Sequence, residues 1–156
     1  MAYVLSSTSI QQEPLTAELW HELRPLMLAN HEAASIDAPF NGDFLLIQTL
    51  NPNIWVVRVD GEPFGYCAHV VGSHPFTGEP WAVCLAIYLD PAHRGMAKRL
   101  ITQIEQDLAG EVAVINYSVP HLSNAGAFFE TVMGYGCMEL VMCKRLSQSS
   151  MSCLHR

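Results

Sequence analysis

Three of the chain's eight Lys and Arg residues, Arg94, Lys98 and Arg99, fall within six positions of one another. They sit in the stretch Ala86-Ile-Tyr-Leu-Asp-Pro-Ala-His-Arg-Gly-Met-Ala-Lys-Arg-Leu-Ile101. Its apolar first part reads as the end of a buried strand, which Asp90-Pro91 stops. Met96, Leu100, Ile101, Ile104 and Leu108 then recur at helical spacing. The first turn of a helix offers free backbone N–H groups and the positive end of the helix dipole, and both attract phosphate. A small residue such as Gly95 lets a ligand approach the backbone closely. The chemistry this pattern predicts is capture of a phosphate-bearing ligand by the helix start and its three cations. The competing reading is plain: many αβ proteins place Arg-Gly at a helix start and bind nothing there.

Other reactive residue types point to less. His69, His74 and His93 have no metal-ligand spacing, and none of the five cysteines pairs as CxxC or with a histidine at zinc-finger distance, so no metal is expected. Cys67 and Cys84 lie in apolar runs and read as small hydrophobes. With Cys137, Cys143 and Cys153 they read as reduced thiols in a reducing, cytoplasmic setting. Ser118 lacks a Gly-x-Ser-x-Gly elbow. Phe128, Phe129, Val132 and Met133 read as core.

The elements that must position the loop follow in order. Tyr3 to Ile10 is a candidate first strand. Thr16 is a candidate N-cap for a helix carrying Leu19, Leu23, Leu26 and Met27, with a kink or early end at Pro25. Asn30 to Gly42 reads as loop or broken helix, and Asp43 to Leu50 as a short helix. Trp55–Val59, Asp60-Gly61 and Phe64–Val71 form a hairpin signal. Ser73–Pro80 is a loop. Trp81–Leu89 is an unbroken apolar run, expected to be a central strand covered on both faces. After the helix, which Gly110 stops, Val112–Val119 is a strand. A short helix ends at Gly134, and Gly136–Leu146 is the last strand. The expected fold is α+β (mixed α/β): one domain over 1–146 and a frayed Ser-rich tail over 147–156. Its sheet should be mostly antiparallel, with six to seven strands and helices on both faces.

The whole has 156 residues, half of them apolar and only 15% charged, with a net charge of −7. Charge is thin against the usual quarter, which is compatible with a homodimer. An acidic chain is a poor partner for nucleic acid and suits a cationic amine, although solubility alone explains the sign as well. No signal peptide and no membrane-length apolar run is seen.

The Pro91-x-His-Arg-Gly95 loop after a strand resembles the acetyl-CoA motif of the GNAT (Gcn5-related) N-acetyltransferases. Ser123–Tyr135, closing on Gly134-Tyr135, resembles that family's second motif, and the strand ending Cys143-Lys-Arg-Leu146 its last strand. The compatible span is Trp55–Leu146. His74-Pro-Phe and His31-Glu32 look most like small phage-encoded members. The resemblance implies an acetyl-CoA-dependent N-acyltransferase acting on a primary amine of a small molecule or protein by direct attack. It implies a splayed gap between Trp81–Leu89 and Val112–Val119. There Ile87, Tyr88 and Leu89 would hold the pantetheine, and Arg94, Gly95, Met96, Ala97, Lys98 and Arg99 the pyrophosphate. Asn124 would bond the pantetheine arm or merely cap its helix. Glu32, His31, His121 and Glu130 are candidate bases, and Tyr117 a candidate acid, with solvated, loop or packing roles as the structural alternatives.

Two departures stand out. Arg99 occupies a position the family keeps small, so the loop looks shortened. Glu130 stands where many members have an acidic Tyr. These leave a second reading, a degenerate fold that binds or inhibits without catalysis, and a weaker third, nucleobase modification.

Overall fold

The computed structural model describes residues 6–34, 39–119 and 124–137. The chain packs as two units, residues 1–120 and 121–156. Among the described residues, the first carries a five-stranded sheet and three α-helices, and the second one α-helix.

Strand β1 is Thr8–Glu13. Helix α1 is Ala17–Ala33, and its first turn is closed by the Thr16 hydroxyl, which accepts from the Leu19 N–H at 3.1 Å. Pro25 does not end it. The proline sits on the exposed side, where water can satisfy the carbonyl its missing N–H leaves open. Leu19, Leu23 and Met27 hold the other side in the core. The helix therefore takes in Asn30–Ala33, which sequence alone gives to a loop. Helix α2, Phe44–Leu50, is capped by Asp43, whose carboxylate accepts from the Leu45 N–H at 3.0 Å.

Strands β2 (Asn53–Val59) and β3 (Glu62–Ser73) form the expected hairpin. Asp60 and Gly61 both have positive φ, 51° and 89°, the geometry of a two-residue turn that matches strand twist. Strand β4 is Pro80–Leu89, helix α3 is Ala97–Leu108 and strand β5 is Val114–Asn116. Helix α4 is Asn124–Thr131, in the second unit. The order is β1-β2-β3-β4-β5, antiparallel throughout except for the parallel β4–β5 pair.

Five strands stand among the described residues where six to seven were expected. Residues 136–137 have no regular structure, and the rest of the expected last strand lies outside the described residues. In α4 only Phe129 is fully buried. Val132, read as core, is 49% exposed.

Side-chain alternation divides the sheet between two helices. Ile54, Val56, Tyr66 and Ala68 join Leu19, Leu23 and Met27 of α1. On the other face Trp55 is fully buried and its indole N–H donates to Asp107 of α3 at 2.7 Å. Arg58 ties β1, β2 and α1 together. It donates to both carboxylate oxygens of Glu13 (2.7 and 2.9 Å) and of Glu22 (2.7 Å each). Those hydrogen bonds hold the Glu22 carboxyl below its ordinary range and raise Arg58. Much of the chain's acidity is thus spent on structure: Glu13 and Glu22 on Arg58, Asp43 and Asp90 as caps, Asp107 on Trp55.

His69 is buried among Trp55 and Tyr117, with ring centroids 5.6 and 5.0 Å away in edge-to-face contact. Burial pushes its pKa down to about 4. The folded chain therefore keeps His69 neutral, whereas the unfolded chain protonates it near 6.5. Stability from this group is full above about pH 6.5 and is lost as pH falls toward 4, by up to about 3 kcal/mol. Urea melts from pH 7 to pH 4.5 should show that loss, and a His69→Phe variant should show a flatter profile over the same window.

Candidate acyltransferase site

The last register pair between β4 and β5 is Val83 with Asn116. Strand β4 runs on to Leu89, and beyond Val83 its β5 edge has no partner strand among the described residues. The cause lies in β4 itself. Ala68 pairs with Ala86 and His69 with Cys84, so Leu85 is an extra residue. A bulge of this kind bends and twists the strand that carries it. Pairing with β5 ends there, and the unpaired edge of β4 from Cys84 to Leu89 forms an opening, the wedge.

Donors face that wedge. The Asp90 N–H donates to the Phe64 carbonyl of β3 at 2.8 Å. Successive N–H groups of a strand point to opposite edges, so those of Leu89 and Ile87 face the open β5 edge. The Tyr88 side chain points elsewhere: it packs against the core cluster under α1.

The loop after β4 is a 3-10 turn, Pro91–Met96. Asp90 starts it by accepting from the Ala92 N–H at 2.9 Å. His93 stacks on Phe64 with centroids 4.1 Å apart. Helix α3 then begins with Met96 at its cap position and no side-chain capping bond. Arg94, Gly95, Lys98 and Arg99 are exposed, while Met96 and Ala97 are half-buried. Nothing lies within 4 Å of where a Gly95 Cβ would stand. The helix start is therefore open to a ligand. A groove of about 490 Å³ runs along α3 past Gly95, Lys98, Arg99, Gln103 and Gln106. It reaches Ile10 of β1, at the opposite end of the sheet from the wedge.

A second cavity, of about 270 Å³, lies between α1, α2 and the sheet. Trp20, Met27, Phe40, Ile47 and Leu85 give it apolar and aromatic walls, and Asn30, His31, Asn41 and Tyr66 its polar atoms. The Asn30 amide donates to the Tyr66 hydroxyl at 3.2 Å. Burial pushes Tyr66 up to about 12, so the phenol keeps its proton at neutral pH.

Of the predicted bases, His31 is half-buried in this cavity with its ring 5.7 Å from Phe40. Glu32 is exposed and does not line it. Tyr117, beyond the end of β5, is half-buried against His69. Asn124 opens α4, and both it and Glu130 are exposed. His121 lies outside the described residues.

Sequence reading missed two things. Asn30 and Tyr66 gave no signal, because one was assigned to a loop and the other sits in a β-rich run. The fold also brings Cys67, His69 and Cys84 together, with their ligand atoms within 4.8 Å of one another. Cys67 Sγ is 3.5 Å from His69 Nδ1 and 3.8 Å from Cys84 Sγ. No sequence spacing reveals this trio, because the antiparallel pairing of β3 with β4 makes it. Burial pushes the Cys67 thiol up, so it is held as the unreactive neutral form.

Gly65 faces the end of β4. A Cβ there would stand 2.4 Å from Leu89 Cδ2 and 2.8 Å from the Tyr88 carbonyl. Gly65→Ala should destabilise the protein by about 1–3 kcal/mol and lower turnover by displacing the Leu89 N–H. Equal melting midpoints for variant and parent would contradict this packing.

The open edge of β4 and the exposed start of α3 are the features this sheet offers a ligand. The chain belongs to the acetyltransferase (GNAT) family, whose model matches residues 16–135. Solved structures agree on the fold. A ribosomal-protein-alanine N-acetyltransferase from Brucella melitensis biovar Abortus 2308 superposes with a TM-score of 0.70 at 20% identity, covering 90% of this chain and 100% of its own. The aminoglycoside N-acetyltransferase AAC(6')-Iy in complex with CoA gives 0.71 at 15% identity, covering 94% and 99%. An acetyltransferase of Trypanosoma brucei gives 0.67 at 16%, covering 88% and 100%. None of these supports the likeness to phage-encoded members. No curated protein matches the sequence. Among the described residues, no helix is long and apolar enough to cross a membrane.

Proposed function

We propose that the protein is an acetyl-CoA-dependent N-acetyltransferase that acylates a primary amine by direct attack. The observation that carries this reading is the wedge: strand β4 parts from β5 after Val83, and the N–H groups of Ile87 and Leu89 face the opening. The CoA bound to AAC(6')-Iy and the protein acceptor named for the Brucella enzyme are consistent with this chemical class.

In this reading the Arg94, Lys98 and Arg99 side chains, with the open backbone at Gly95, take the pyrophosphate, while the Ala97 N–H is held by the Arg94 carbonyl. The Ile87 and Leu89 N–H groups orient the pantetheine and polarise the thioester carbonyl. The nitrogen lone pair attacks the carbonyl carbon, a C–N bond forms and the C–S bond breaks. The nitrogen sheds one proton and the departing sulfur takes one up, so amine and acetyl-CoA become amide and CoA thiol. Most of the acceleration comes from holding the two reactants together. His31, in the acceptor cavity, is the described residue best placed to relay the proton, while the exposed Glu32 serves less well. Tyr117 and Asn124 remain candidates for the acid and for the pantetheine bond.

Mixing the protein with acetyl-CoA and an amine panel, and following free thiol with mass analysis of the amine, tests the proposal. Amine-dependent thiol release matched mole for mole by an acetylated product supports it. Tight acetyl-CoA binding with no transfer to any amine would favour the binding-protein reading, to which the exposed Glu130 belongs.

A further inference from the structure

From the walls of the 270 Å³ cavity we infer that the acceptor is a small monoamine on an aryl or branched-alkyl body, not a polycation. This rests on the acetyltransferase reading and adds the substrate class to it.

The net charge of −7 suggests a cationic substrate, but among the described residues that charge does not line the cavity. No described residue lining the cavity carries a carboxylate. The described charge beside the wall is positive: the Arg24 guanidinium carbon lies 5.8 Å above the Phe40 ring. The aromatic wall is also fixed in place, with the Trp20 indole N–H donating to the Gly42 carbonyl at 2.9 Å. A polyamine or aminoglycoside would have to shed water from several ammonium groups against apolar carbon, with no counter-charge among the described lining residues, which costs several kcal/mol per charge. A monoamine brings one nitrogen, and an apolar pocket favours that nitrogen in its neutral form. The neutral form is also the nucleophile, so the pocket itself selects the reactive species. Its volume lies just under the usual range for drug-sized ligands, roughly 300–1,000 Å³, which points to a body of one ring or a short branched chain.

The direction is right as well. Leu85 and Ala86 form part of the wall and directly precede Ile87, whose N–H faces the wedge. Strand β4 thus carries the cavity on one side and the thioester position at its edge. The Asn30 amide and the Tyr66 hydroxyl supply a small polar spot for the amine.

The test uses the full chain with acetyl-CoA and four acceptors: phenethylamine, isoamylamine, spermidine and kanamycin. A peptide with a hydrophobic N-terminal residue is a fifth. The expected kcat/KM for the two apolar monoamines exceeds that for spermidine and kanamycin by at least roughly 100-fold, the size of discrimination an unpaired buried charge enforces. Leu85→Glu, at a position 42% exposed and so tolerant of charge, should cut the phenethylamine value at least roughly tenfold and raise the spermidine value.

Equal or better use of spermidine, kanamycin or the peptide overturns the inference while leaving the acetyltransferase reading intact. So does acetyl-CoA binding, seen by calorimetry on the same sample, without acetylation of either monoamine. Failure to bind acetyl-CoA at all removes the parent reading, and this inference with it.

Discussion

Gly95→Val protein is expected to fold like the parent and to lose acetyl-CoA. Space around Gly95 is open, with nothing within 4 Å of where a Cβ would stand, and its φ is not left-handed. The Cβ of a valine therefore meets no neighbour in the free protein, and its expected cost is about a few tenths of a kcal/mol, that of a β-branched residue in a helical turn. When the cofactor is bound, that same open space is where a pyrophosphate must approach the backbone. Filling it should weaken acetyl-CoA at least about 30-fold, or ~2 kcal/mol, with Gly95→Ala in between. Unchanged melting with lost binding is the combination expected. Full affinity in the valine variant would place the pyrophosphate elsewhere.

Trp55→Ala is expected to have the largest effect on stability, about 3–5 kcal/mol. Trp55 is fully buried, joins β2 to α3 through Asp107, and packs edge-on against His69. Removing it opens a cavity between the sheet and the helix that presents the cofactor loop. Whole domains are stable by only about 5–15 kcal/mol, so the variant should unfold at markedly lower urea. Trp55→Phe keeps most of the ring volume and loses one hydrogen bond, for about 1 kcal/mol beyond the volume change. A Trp55→Ala midpoint close to that of Trp55→Phe would contradict the packing described.

Much of this architecture is legible from residues because local chemistry decides it. Asp60-Gly61 must turn, since both residues hold positive φ. Thr16 and Asp43 cap the helices they precede. The apolar spacing from Leu100 to Leu108 appears in the fold as the buried face of α3. Other features depend on what lies across the chain. Pro25 could be tolerated only because its face is exposed and three other residues anchor α1.

The apolar run of β4 reads as fully covered, yet only Ala82 in it is fully buried and Leu85 is exposed. Part of that run lines a cavity, and periodicity cannot tell a wall from a core. Likewise β5 is three residues rather than eight, because a bulge one strand away ends the pairing.

The candidate site divides the same way. Arg94, Gly95, Lys98 and Arg99 announce themselves by clustering. Asn30 and Tyr66, which form the polar spot of the cavity under α1, come from separate elements and carry no pattern. The net charge carries less for a related reason: a sum over the chain does not say where each carboxylate sits.

The most direct test of the central claim is calorimetric titration of the full chain with acetyl-CoA, with Arg94→Ala beside it. One site with micromolar affinity, weakened at least about tenfold in the variant by loss of a charge-assisted phosphate contact, is the expected result. No heat of binding up to millimolar acetyl-CoA would contradict the assignment of the wedge and the helix start as a working cofactor site.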